Sequence, residues 1–421
     1  MVLLAVEAIV LVVLHVGSFV ALSPVDELQH FDHLVRSSRP SLLLDPDEPF
    51  AQETLREVSC REAHDDAWVL APTGAACLDQ GYVPEDFWWR GLNSSYSHGP
   101  VYYATTGVAA RGLRAVVPGF GLLTWARLLG AAWAIAGCYL VLRTARLLLI
   151  RPWAVAILLA GVVASPGPLE AFTMVNPDAA MLAAGGAVLL AAVAVDQGRW
   201  PLWSLGAAAA LAMLTDSSAA VVIIAVAVYF ALRAFLRRSP RVAVAAGVAV
   251  ACAALTVLAW TFAQRPGDFE GSPQQRAFEV DALETEDVVG RATVLAMMPP
   301  LSSGQEPVPL RAEPVPVFNA GFALLLAGGL VAVVLRARLR DRQSVLAVST
   351  TVALLVTGPL LVAWNYAASS WYYSIPARYG ISAIPAMVVA VAPSLSRVGR
   401  IVAGALVAGG VVATSAAMLG A

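Results

Sequence analysis

Five short polar groups, each at the edge of a long apolar run, hold the side chains of this chain best suited to chemistry. Asp26 and Glu27 are adjacent and His30 follows them. If Pro24 starts a short helix, one turn gathers all three titratable groups, although the same residues also suit a solvated N-terminal turn. His98-Gly99-Pro100-Val101-Tyr102-Tyr103 forms the second group, and its tyrosines are equally at home as interface anchors. Asn176-Pro177-Asp178 stands at an expected helix start, where an anion is favoured and Asp178 can act as the cap. Asp216, in Leu214-Thr215-Asp216-Ser217-Ser218, lies between two apolar runs, a functional candidate or a polar helix break. The fifth group is Trp371, Tyr372, Tyr373, Arg378 and Tyr379. Arg378 is the one Arg of its loop and suits a phosphate at lipid-headgroup depth, or simple snorkelling.

The elements that must position these groups are membrane spans. Of 421 residues, 59% are apolar and only 13% charged, with a mean hydropathy of +0.72, which excludes a soluble globular protein. Apolar stretches of about 17 to 22 residues recur, each able to cross a hydrocarbon core roughly 30 Å thick. The net charge of -2 conceals a segregation of charge along the chain. Residues 23 to 99 carry 14 acids against 5 Arg, whereas 14 Arg at 143, 146, 151, 199, 233, 237, 238, 241, 336, 338, 340, 342, 397 and 400 sit in short loops beside only Asp196 and Asp341. The positive-inside rule makes those Arg loops cytoplasmic, and the loops 23 to 99 and 264 to 316 then face outward. All 27 basic residues are Arg, as a high-GC coding bias would give.

This constraint predicts an all-α polytopic membrane protein of about eleven spans with a cytoplasmic N-terminus. The spans fall near 2–22, 120–142, 152–168, 179–195, 201–215, 217–236, 242–263, 317–335, 344–364, 380–396 and 401–419. The first is read as a retained helix, because it has no basic n-region and is longer than a signal peptide's apolar core. Residues 101 to 117 contain Arg111 and Arg114, which make a lipid-exposed crossing expensive, and are assigned to a juxtamembrane helix at the outer interface. Three regions result: a module over 1–263 that includes the first outer loop 23–119, a second outer loop over 264–316, and C-terminal helices over 317–421.

Cys138 and Cys252 fall inside spans, where a lone thiol packs as a small apolar group. Cys60 and Cys77 share the first outer loop, and in an oxidising compartment they are a disulfide candidate, worth roughly 3 kcal/mol for a loop of about 15 residues. No CxxC, HExxH, Walker loop or dinucleotide fingerprint is present, and nothing in the charge pattern invites nucleic acid.

The ordered patches resemble the polytopic glycosyltransferases of superfamily C, the group that includes protein O-mannosyltransferases and the aminoarabinose transferase of lipid A. Pro24-Val25-Asp26-Glu27-Leu28-Gln29-His30 resembles the acidic motif after the first helix, and His98 to Tyr103 the proline-tyrosine segment. Arg127-Leu128 is similar to the Arg-Leu opening the next span, Asn176-Pro177-Asp178-Ala179 to the Asn-Asp-Ala element, and Arg378-Tyr379 with Ile384-Pro385 to the late Arg-Tyr and Leu-Pro pattern. The likeness spans nearly the whole chain in spacing and is sparse in identity. Asp216 stands where the family often has Lys or Arg.

The resemblance implies transfer of a sugar from a polyprenyl-phosphate donor to an extracytoplasmic glycan, lipid or protein acceptor, with inversion. Asp26 or Glu27 would be the general base, which typically contributes about 10² to 10⁴ in rate. Arg378 and Tyr379, with His98, Tyr102 and Tyr103, would meet the donor and its phosphate, while His30, Asp178 and Asp216 would line the substrate cavity. No metal is required, although these acids offer oxygen ligands for Mg²⁺, Mn²⁺ or Ca²⁺. The implied location is the plasma (inner) membrane of a bacterium, with the active site on its outer face. Three rival readings stay open: a non-catalytic membrane scaffold of envelope assembly; a lipid or sugar transporter (flippase), which should place charged or broken helices near the bilayer midplane; and, as a narrower variant of the main reading, a membrane ligase that uses a lipid-diphosphate donor.

Overall fold

The computed structural model describes residues 1–23, 26–37, 43–44, 48–59, 83–84, 91–93, 95, 98–264, 279–286, 288, 290, 294–295, 310, 313–339, 341–370, 372 and 375–420. Among these, every regular element is a helix, and one isolated β-bridge joins Pro49 to Leu92. The candidate disulfide residues Cys60 and Cys77, and also Trp371 and Tyr373, lie outside the described residues.

In chain order the helices are α1 (Val2–Ser18), α2 (Glu27–Ser37), α3 (Gln52–Ser59), α4 (Pro100–Val116), α5 (Leu122–Leu128), α6 (Gly130–Leu147), α7 (Pro152–Ala164), α8 (Pro166–Thr173), α9 (Met181–Asp196), α10 (Leu202–Thr215), α11 (Ala220–Arg237), α12 (Pro240–Gln264), α13 (Val315–Leu335), α14 (Arg342–Ser369), α15 (Ile384–Val391) and α16 (Arg397–Leu419). Short 3-10 segments at Pro177–Ala180, Ser217–Ala219 and Ala377–Ala383 lead into α9, α11 and α15.

Seven helical stretches among the described residues are long and apolar enough to cross a membrane, or eight if α7 and α8 count as one bent span. The remaining expected spans take other forms. α1 and α10 are apolar but have only 17 and 14 residues. The stretch expected as one crossing at 152–168 bends by 68° between α7 and α8. Ser165 precedes Pro166 and takes an extended ψ of 136°, the conformation that a following proline enforces. The stretch expected at 380–396 breaks into the 3-10 turn Ala377–Ala383, the eight residues of α15 and a further 3-10 turn, Ala392–Ser394, with Pro385 and Pro393 in place of amide donors.

α9 is the buried centre of the bundle, packed by α6, α10, α11 and α15, while α12 lies at the periphery with most of its length exposed. Helices come close where glycine leaves room: a Cβ on Gly185 of α9 would stand 2.0 Å from the Ser382 carbonyl oxygen. A second, smaller core holds α2, α4 and α5 together through Phe31, Leu34, Tyr102, Tyr103, Leu122 and Leu123. Arg111 of α4 donates to the Val35 carbonyl (2.9 Å), and Arg114 pairs with Glu53 of α3 (3.0 Å), so the two Arg of α4 are used against neighbouring helices.

One ion cluster pins the end of α9 remote from the polar loops. Asp196, buried, accepts from Arg233 of α11 at 3.2 Å, Arg342 of α14 at 2.6 Å and the Tyr229 hydroxyl at 3.1 Å. With a rise of 1.5 Å per residue, this cluster is about 25 Å from the opposite end of the same helix.

Candidate functional site

The opposite end of the bundle is where Asp26, His98, Asp178, Asp216 and Arg378 meet. Each lies at a helix start: before α2, before α4, in the 3-10 turns before α9 and α15, and at the break between α10 and α11. Local sequence explains the starts. Gly99 in an extended conformation and Pro100 at the first helical position open α4. Asn176 caps the turn at Pro177 by accepting from Asp178 N (2.9 Å), and Asp216 caps the next by accepting from Ser218 N (2.7 Å). The cap expected of Asp178 is thus supplied by Asn176, leaving the Asp178 carboxylate to the site. At these helix starts the backbone dipoles favour negative charge.

The adjacent acids have opposite surroundings. Glu27 is fully buried and receives Arg127 Nε at 2.8 Å, Arg127 Nη2 at 2.6 Å, Ser23 N at 2.8 Å and Val175 N at 3.0 Å. Arg127 in turn donates to the Phe19 and Ala21 carbonyls (2.9 and 2.7 Å), so this pair fastens the exit of α1 to α2, α5 and the segment before α9. Asp26 has φ 57°, in the left-handed region that Asp tolerates better than most residues, and its side chain remains 47% exposed. Its Oδ2 stands 3.9 Å from Arg378 Nη2. Partial burial raises the Asp26 pKa above its ordinary value, and the charges of Arg378 and His98 only partly offset this.

Arg378 donates from Nε to Asp178 Oδ2 at 2.8 Å, and its guanidinium lies 5.9 Å from the Tyr379 ring centre. Burial opposes its charge, but Asp178, Tyr379, Asp26 and Glu170 outweigh that and hold it protonated. A recess of about 10 Å³, near the lower limit for a single water, lies between Arg378, Asp178, Asn176 and Glu170. Glu170 is a participant that the sequence reading missed; its only signal is an acid between Pro168 and the end of an apolar run.

His98 Nδ1 is 2.9 Å from Asp216 Oδ2. Burial works against the imidazolium, yet the Asp216 hydrogen bond and charge, helped by Asp178 and Asp26, raise the His98 pKa. The Asp216 pKa moves the other way and is lowered: burial would raise it, but the hydrogen bond and charge of His98 and the donors from Ser218 prevail.

His30 and the tyrosines form the wall behind. The Tyr103 hydroxyl and His30 Nδ1 are 2.6 Å apart, His33 stacks on Tyr103 at 3.7 Å, and His30 meets His98 edge-on at 4.9 Å. Burial, then the neighbouring His98, His33 and Arg378, lowers the His30 pKa well below its ordinary value, so the ring stays neutral. Burial chiefly brings His33 to about 3. Tyr102 and Tyr103 are fully buried phenols whose pKa burial pushes up, so they stay protonated. Asp32 is a structural hub, accepting from Arg36, Thr54, Asn93 and Ala51 N at 2.7 to 2.8 Å.

Among the described residues, no three His, Cys, Asp or Glu side chains are disposed to hold a metal ion. Beside the cluster runs a cavity of about 460 Å³ between α4, α6, α9 and α10. Its walls are chiefly Ala and Leu with Trp133, Trp200 and Trp203, and one end is framed by Val101, Ala180 and Thr215, close in the chain to His98, Asp178 and Asp216. The chain matches no family model, no curated protein and no solved structure.

Proposed function

We propose that this protein is a membrane glycosyltransferase that moves a sugar from a polyprenyl-phosphate donor to an acceptor hydroxyl outside the cell. The observation that carries the reading is the pairing of an accessible carboxylate, Asp26, with the Arg378 guanidinium 3.9 Å away, next to an apolar cavity of about 460 Å³. A lipid-linked phosphate has both chemistries: a chain for the cavity and an anion for the cation and the helix starts.

In this reading the lipid enters from the bilayer through the α6, α9 and α10 side, and its phosphate stops at Arg378. Asp26 takes the proton of the acceptor hydroxyl as its oxygen attacks the anomeric carbon, and polyprenyl phosphate leaves from the opposite face, inverting the configuration. Asp26, 47% exposed and beside Arg378, is the base of the two adjacent acids, and buried Glu27, held by Arg127, serves by fixing the backbone that presents it. The eleven-span topology, with Arg-rich loops inside and the polar cluster facing outward at a bacterial plasma membrane, belongs to the same proposal.

A lipid or sugar flippase is the second reading, favoured by the 68° break between α7 and α8 with Glu170 buried just beyond it. Release of polyprenyl phosphate from a panel of polyprenyl-phosphate sugars in liposomes, with an envelope extract as acceptor, separates the two. Release that Asp26→Asn abolishes supports the transferase. Movement of intact donor between leaflets without release supports the flippase.

A further inference from the structure

Four observations single out His98. Its Nδ1 is committed to Asp216, so any proton the ring exchanges with a ligand passes through Nε2. Its side chain remains 27% exposed, whereas its partner Asp216 is 5% exposed. The charges facing it come from every surrounding element: Asp216 from the α10–α11 break, Asp178 from the turn before α9, and Asp26 from the start of α2, with Arg378 reaching Asp178 and Asp26 from the turn before α15. His30 and His33 of α2 and Tyr103 of α4 close the remaining side as neutral groups. The arrangement is a histidine with a carboxylate behind it that fixes its tautomer and supports its imidazolium, the form a proton donor needs.

We propose that His98, oriented by Asp216, is the general acid of the site: Nε2 protonates the phosphate oxygen that departs from the sugar while Asp26 accepts the proton of the attacking hydroxyl. The inference rests on the transferase reading and adds to it a second catalytic residue and a positioning residue, Asp216. The step balances. The acceptor oxygen forms a bond to the anomeric carbon, the bond from that carbon to the bridging phosphate oxygen breaks with its electron pair staying on oxygen, and that oxygen takes the His98 proton. One proton enters at Asp26 and one leaves at His98, so the enzyme returns to its starting state once the two exchange protons with solvent.

The test compares two donors in liposomes: a polyprenyl-phosphate sugar with the natural bridging oxygen, and its analogue with sulfur at the bridge, whose departing group needs no proton. His98→Asn is expected to lower kcat/KM by about 10² to 10⁴-fold with the oxygen donor and to leave the sulfur donor near wild-type rate. Asp216→Asn, which keeps the histidine, should move the alkaline limb of the oxygen-donor pH profile to lower pH. An equal loss with both donors, or none with either, overturns the role of His98 while the transferase stands. A wild-type protein that turns over neither donor overturns the transferase reading, and this inference with it.

Discussion

Arg127 closes on Glu27 with two hydrogen bonds, Nε to Oε1 at 2.8 Å and Nη2 to Oε2 at 2.6 Å, and both side chains are almost fully buried. Adjacent Asp26 shares none of these contacts. The pair of acids is therefore divided by environment: one fixes the chain, the other stays 47% exposed beside Arg378.

Removing Glu27 leaves a buried guanidinium uncompensated, a change that typically costs about 3 to 5 kcal/mol. Glu27→Ala is expected to unfold well below wild type in a common detergent, and Asp26→Asn to unfold with it or slightly above. Replacing both Glu27 and Arg127 by Met should recover much of the loss. Equal stability of Glu27→Ala and Asp26→Asn would show that the Arg127 pair does not hold the helices.

The His98–Asp216 pair makes stability depend on pH in a definite direction. His98 is raised, so its contribution is complete below its ordinary value of 6.5 and fades as pH climbs through the raised one. Asp216 is lowered, so its contribution is complete above its ordinary 3.8 and fades as pH falls through the lowered one. Thermal unfolding of wild type and Asp216→Asn across pH should differ most between those limits and converge on both sides. A difference that stays constant with pH would show that the pair does not titrate with folding.

Much of this was legible in the sequence because charge segregation and apolar run length act over whole segments. The long apolar helices, the helix at Pro100–Val116 and the placing of polar groups at helix starts all follow from such local rules. What the sequence did not reveal depends on partners distant in the chain. Nothing local distinguishes Asp26 from Glu27; the difference is Arg127, a hundred residues on. Nor does a local pattern show that Asp216, where a cation was expected, faces His98 across 118 positions. The breaks at Ser165 and around α15 were masked by uniform hydropathy, although Pro166, Pro168, Pro385 and Pro393 mark them.

If the cavity between α6, α9 and α10 takes the lipid chain, filling it should weaken donor binding without touching the chemistry. Ala187 lines it at the middle of α9 and is partly exposed to it. Ala187→Phe is expected to raise KM for a long polyprenyl donor about tenfold, the effect of about 1.4 kcal/mol, with kcat nearly unchanged and a short-chain donor little affected. A fall in kcat with KM unchanged would place the chain elsewhere.

The close approach that carries His98 to Asp216 runs through Gly99. A Cβ there would stand 2.0 Å from the Leu214 carbonyl oxygen, a backbone atom that no side-chain rotation moves aside. The Gly99 backbone, at φ −65° and ψ 151°, is open to any residue, so the cost of alanine is purely steric. Gly99→Ala should push the start of α4 away from the end of α10, lengthen the His98–Asp216 contact and shift the alkaline limb of kcat/KM toward lower pH, as Asp216→Asn does. Gly112→Ala is the control in the same helix: its Cβ meets nothing within 4 Å, and alanine in a helix interior is favoured over glycine by up to about 1 kcal/mol. That variant should be as active as wild type and at least as stable. If Gly99→Ala behaves like Gly112→Ala in both measurements, the contact between α4 and Leu214 is not what holds the histidine in place.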